Sequence, residues 1–155
     1  ADTVWEFRRD GSIYKYSIFN FRKRIEISNS FHASGDILYV DTTSYLSNQF
    51  HRCKYDGQNQ LEARIWFDFG NHFKPLGIIH YYPETGNKKS VHSIDPDKEI
   101  RTFWFYYPDG SMKMKGHYNI LTNKKTDTFL HVDTLGRVNY RVFLEDSLVG
   151  KGELP

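Results

Sequence analysis

The chain has 155 residues, a formal net charge of +2, and 39% hydrophobic residues. That suits one domain, taken here as residues 1–155, or a short repeat array that hides roughly two-thirds of its unfolded surface. The charge is too mild for a nucleic-acid binder, and no apolar run reaches the ~18 residues a spanning helix needs.

Aromatic residues make up 17% of the chain, mostly 11 Tyr and 12 Phe, which favours strands because flat rings pack well on a half-buried pleated surface. Cys53 stands alone, so no internal disulfide forms, and it reads as a small buried apolar group before it reads as a reactive thiol. The first residue is Ala1 rather than Met, as cleavage after a secretory signal or trimming would leave it. An exported protein of the periplasm or cell envelope is the resulting expectation.

Turn signals recur along the chain at Gly11, Gly35, Asn59, Gly86, Gly110 and Gly136, at spacings of 24, 24, 27, 24 and 26 residues. Asn59 fits the series because Asn tolerates the left-handed backbone better than other non-Gly residues. The flanks repeat as well. Four residues before each turn stand Phe7, Phe31, Tyr55, Tyr82, Tyr106 and Val132. Two after stand Ile13, Ile37, Leu61, Lys88, Met112 and Val138, and eight after stand Phe19, Thr43, Phe67, Ile94, Tyr118 and Leu144. Thr43 and Lys88 are the polar exceptions.

Second strands alternate with period two, as half-buried strands do. Leu61, Ala63, Ile65 and Phe67 oppose Glu62, Arg64 and Trp66, while Met112, Met114 and Tyr118 oppose Lys113, Lys115 and His117. In the first copy the cleaner stripe is Tyr14, Tyr16 and Ile18. Polar links fall at 20–24, 42–48, 69–75, 95–99 and 119–126, short enough to keep successive hairpins adjacent. No stretch carries a 3.6-residue apolar stripe, so little helix is expected. The fold class is all-β: a meandering, open, twisted antiparallel sheet of about six β-hairpins. The alternative is a closed lipocalin-like barrel, which removes sheet edges and encloses a small hydrophobic ligand.

The segment from Phe103 through Gly110 to Met112, followed by Gly116 and Tyr118, resembles the MORN-repeat variant. Residues 55–61 resemble its Tyr-Asp form with Asn59 in the Gly place, residues 129–138 carry Val132 in the Tyr place, and residues 81–86 have one extra turn residue. The resemblance covers residues 76–150 and departs from the pattern at Arg101, where a Gly usually stands. It implies stacked β-hairpins of the kind found in bacterial antitoxin-like or cell-envelope proteins, and it carries no catalytic residues to transfer.

The residues themselves offer little chemistry. The histidines His32, His51, His72, His80, His92, His117 and His131 show no metal-ligand spacing. There is no nucleophile elbow, phosphate loop or Cys-His nucleophile pattern. No catalytic residue, metal or cofactor is therefore assigned, and an enzyme built on the barrel has nothing to support it. The basic runs 22–24, 88–89 and 124–125 read as solvated loop tips. Five consecutive aromatics, Phe103 to Tyr107, put rings on both faces of one strand. Either both faces are packed, or one is an exposed binding surface. The expected function is a non-enzymatic protein-interaction or scaffold module, with Trp66, Trp104, Tyr106 and Tyr82 as partner-binding anchors.

Overall fold

The structure, a computed structural model, describes residues 1–70 and 74–154. The expected link 69–75 falls partly outside these residues, and His72 wholly outside. Thirteen strands form one antiparallel sheet in sequence order, and no described residue is helical. They are β1 (Asp2–Phe7), β2 (Ile13–Asn20), β3 (Ile25–Phe31), β4 (Ile37–Ser44), β5 (Gln49–Tyr55), β6 (Leu61–Asp68), β7 (Lys74–Tyr81), β8 (Lys88–Asp95), β9 (Ile100–Tyr106), β10 (Met112–Asn119), β11 (Lys125–Val132), β12 (Val138–Leu144) and β13 (Ser147–Leu154). The meander is not a closed barrel, since β1 and β13 stand at opposite ends of the strand order. The barrel alternative, and the enclosed pocket it required, are thereby overturned. The chain divides into two compact units, Ala1–Ile78 and Ile79–Pro155.

All six anticipated reversal points have positive φ: Gly11 84°, Gly35 93°, Asn59 60°, Gly86 69°, Gly110 89° and Gly136 80°. Five of the loops close alike, and the one ended by Gly86 is a residue longer, the amide of Tyr82 donating to the Asn87 carbonyl and that of Gly86 to Tyr82. The amide of Tyr107 donates to the Ser111 carbonyl and that of Gly110 to Tyr107, as Arg8, Gly11 and Ser12 do in the first hairpin. Each is a tight turn ended by a left-handed residue, a form whose twist suits a hairpin. The strand after the turn then carries an extra residue, at Tyr14, Leu38, Glu62 and Lys113. The bulge splits the expected apolar stripe. Met112 pairs with Tyr106 but Met114 with Phe105, and those two partners point to opposite faces.

Reversals at the other end of the strands form a second series that glycine did not mark. Arg24, Asn48, Glu99 and Asn123 have φ between 50° and 56°. Their loops open on Asn20, Ser44, Asp95 and Asn119, and the side chains of Asn20, Asp95 and Asn119 each accept a backbone N–H from the loop. The loops are shorter than expected, because residues 42–44 and 125–126 belong to strands.

Only Ala63 and Phe103 are buried apolar residues among those described. Cohesion therefore rests on neighbour-to-neighbour links. At the glycine end, side chains reach the carbonyl that ends the next hairpin's first strand. Arg8 donates to Phe31, Tyr82 to Tyr106 at 2.9 Å, and Tyr107 to Val132 at 3.0 Å. At the other end, the amides of Tyr45, Phe69 and Ile120 donate to the carbonyls of Arg24, Asn48 and Glu99 at 2.7 to 3.0 Å. Each module thus leans on the one before it, as repeat arrays do.

Candidate functional site

In the second unit, alternation along β9 sends Arg101, Phe103 and Phe105 to one face and Trp104 and Tyr106 to the other. Opposite Phe103 on β10 stands Gly116, and opposite Arg101 stands Tyr118. A Cβ built on Gly116 would lie 2.6 Å from Phe103 Cζ and 2.7 Å from Phe129 Cδ1, so two rings close over the bare backbone. The neighbouring rings meet edge to face. Phe103 and Phe129 are 5.6 Å apart at 65°, Tyr118 and Phe129 5.7 Å at 82°, and Phe129 and Phe143 5.0 Å at 69°. Such pairs add about 0.5–1.5 kcal/mol each beyond their area burial.

These rings floor a concavity of about 1010 Å³ that runs from β8 to β13. Its charged rim is one-sided: Arg101, Lys125, Arg141 and Lys151 against Glu153 alone. Lys125 lies 5.0 Å from the Phe143 ring centroid and Arg101 5.2 Å from that of Tyr118, so these cations are held by ring faces. Lys125, expected at a solvated loop tip, is instead part of this rim. Arg141 and Lys151 are direct cross-strand partners, both exposed, and no ion pair involves either among the described residues. Like charges placed so are destabilising. Glu153 acts electrostatically on Arg137. His92, at the back of the concavity, is held below the ordinary histidine value by burial and by the nearby His80 and Arg101.

The four anchors expected from sequence fall in both units. Trp66 belongs to the first unit, where its ring stacks on His51 at 5.1 Å and 21°. Trp104 is half-buried on the face opposite the Phe ladder, under the Lys115 ammonium 5.7 Å from its ring. The Tyr82 hydroxyl is committed to the Tyr106 carbonyl, and both residues are half-buried. Of the ladder residues, Phe103 and Phe105 stand in the run of five aromatics noted in the sequence, and Phe129 and Phe143 stand outside it. Their signal was the repeat itself, since Phe129 follows Phe103 by one module of 26 residues.

The first unit carries a polar row. Ser17, Ser28, Asp41 and Arg52 stand in one cross-strand row. The two hydroxyls are 2.7 Å apart, and Arg52 donates twice to Asp41, at 2.8 Å each, beneath the Tyr39 ring. The row satisfies itself and offers nothing free to a ligand. On the other face the Cys53 thiol lies 3.9 Å from His51. Burial pushes that thiol up and that imidazole down, opposite to what a thiolate–imidazolium nucleophile needs. Among the described residues no three His, Cys, Asp or Glu side chains gather as a metal site. No helix among the described residues is long and apolar enough to cross a membrane. Compared with known proteins, the chain matches no family model and no curated protein sequence.

Proposed function

We propose that this chain is a non-enzymatic interaction module of the MORN-like hairpin-repeat kind, docking a partner protein on the aromatic face of its second unit. The observation that carries this reading is the ring ladder flooring the concavity, with Phe105 exposed and Phe129 and Phe143 half-buried. Phe105 is 37% exposed in a sheet whose buried apolar residues are only Ala63 and Phe103 among those described. Large rings at the centre of a concave patch are the usual source of binding energy at protein interfaces. A soluble chain seldom leaves such a patch bare without a role for it.

Photo-cross-linking tests the reading. A benzoylphenylalanine placed at Phe105 should capture a protein that unlabelled chain competes away, whereas one placed at Lys115, on the opposite face beside Trp104, should not. Cross-linking through Lys115 alone moves the interface to the Trp104 face. Cross-linking through neither position overturns the reading.

A further inference from the structure

The rim of the aromatic concavity names its ligand's chemistry. We infer that the face binds an extended acidic segment of a partner protein, with apolar side chains on the accessible rings Phe105, Phe129 and Phe143 and carboxylates on Arg141 and Lys151. This deepens the interaction reading and rests on it. Arg141 and Lys151 face each other across β12 and β13 with no acid between them. A like-charge pair costs stability in the free chain, and a bound carboxylate placed between the two cations removes that cost. Arg101 and Lys125 extend the positive rim along the same concavity. The face therefore favours anions, although the whole chain carries only +2.

Size and ring geometry choose among anionic ligands. At about 1010 Å³, open to solvent at Phe105, His131 and Arg141, the concavity sits at the upper limit of small-molecule pockets and does not enclose one. Single-stranded nucleic acid needs flat ring faces presented in succession. Here the rings lie at 65°, 82° and 69° to one another, and Phe103 is only 5% exposed. A peptide strand lying edge-on in the concavity sends successive side chains to opposite sides, so alternating carboxylates and apolar groups meet the rim on one side and the ladder on the other.

The test is fluorescence anisotropy with the intact chain and a short labelled peptide alternating glutamate with phenylalanine and leucine. A lysine-for-glutamate peptide, a serine-for-apolar peptide and oligodeoxythymidylate serve as comparisons. The acidic apolar peptide should bind most tightly and weaken as salt rises. Arg141→Glu with Lys151→Glu should weaken it by about tenfold or more, and Arg22→Glu, in a loop of the first unit, should not. The neutral pair Arg141→Gln with Lys151→Gln should flatten the salt dependence even if the charge reversal impairs folding. Equal binding of the lysine peptide, tighter binding of the oligonucleotide, or no binding overturns the inference. If the acidic peptide fails while cross-linking through Phe105 persists, only the partner's acidity is lost. If both fail, the interaction reading falls as well.

Discussion

The Phe129 ring lies so close over Gly116 that a Cβ there would come within 2.7 Å of Phe129 Cδ1 and Cε1. Gly116→Ala should therefore destabilise the second unit by about 1–3 kcal/mol, the usual cost of overpacking. Gly57→Ala is the matched comparison. It lies outside the positive-φ residues and has nothing within 4 Å of its Cβ, so its effect should be near zero or slightly stabilising. Urea unfolding of the two variants decides this. Equal stability of both would show that the rings can move aside freely.

The hydroxyl links between hairpins should be measurable one at a time. Tyr82→Phe and Tyr107→Phe keep the ring and remove only the bond to the Tyr106 or Val132 carbonyl. Each should cost about 0.5–1.5 kcal/mol. Hydrogen exchange should locate the loss, with Tyr107→Phe raising exchange in β9 to β12 and leaving β1 to β4 unchanged. A uniform increase along the chain would contradict neighbour-only support.

Acid should weaken the fold in two stages. His51, His92 and His117 are each held below 6.5 chiefly by burial; nearby cations add to this in each case, partly offset by Asp41 at His51 and by Asp127 at His117. A depressed folded value means the unfolded chain binds more protons just below pH 6.5. The stability these groups contribute is full above that value and is lost as pH falls through the folded values. At Glu26 burial pushes the carboxyl up, but hydroxyl bonds from Tyr45, Ser28 and Ser17 outweigh it and hold the group below 4.5, so its contribution is lost at lower pH still. Melting temperature should be flat above about pH 7 and fall below 6.5. Replacing the three histidines with Gln should flatten the first descent and spare the second. A native profile unchanged from pH 8 to 5 would sink this account.

The six glycine-end turns were legible in sequence because a positive φ there selects Gly or Asn, and the spacing of those residues survives in the chain. The opposite turns were legible only as polar links and not as a second left-handed series, because Arg24 and Glu99 adopt the same backbone without advertising it. Their marker was the side-chain acceptor that opens each loop, seen at Asn20, Asp95 and Asn119. Strand β13 escaped for a similar reason. It follows a two-residue reversal at Glu145 and Asp146, with φ of 47° and 70°, a form that usually announces itself with glycine. At the candidate site, simple alternation along β9 separates Phe103 from Trp104. The bulge at Lys113, which nothing in the sequence marks, decides that Met114 and not Met112 joins the ladder.

The links from Tyr82 to Tyr106 and from Arg24 to Tyr45 each bridge little more than twenty positions along the chain, 24 and 21. A gene for such a chain can gain or lose one such length in frame without rewiring what remains. Reach and copy number are thus free to vary between descendants, while the chemistry displayed on any single module is kept.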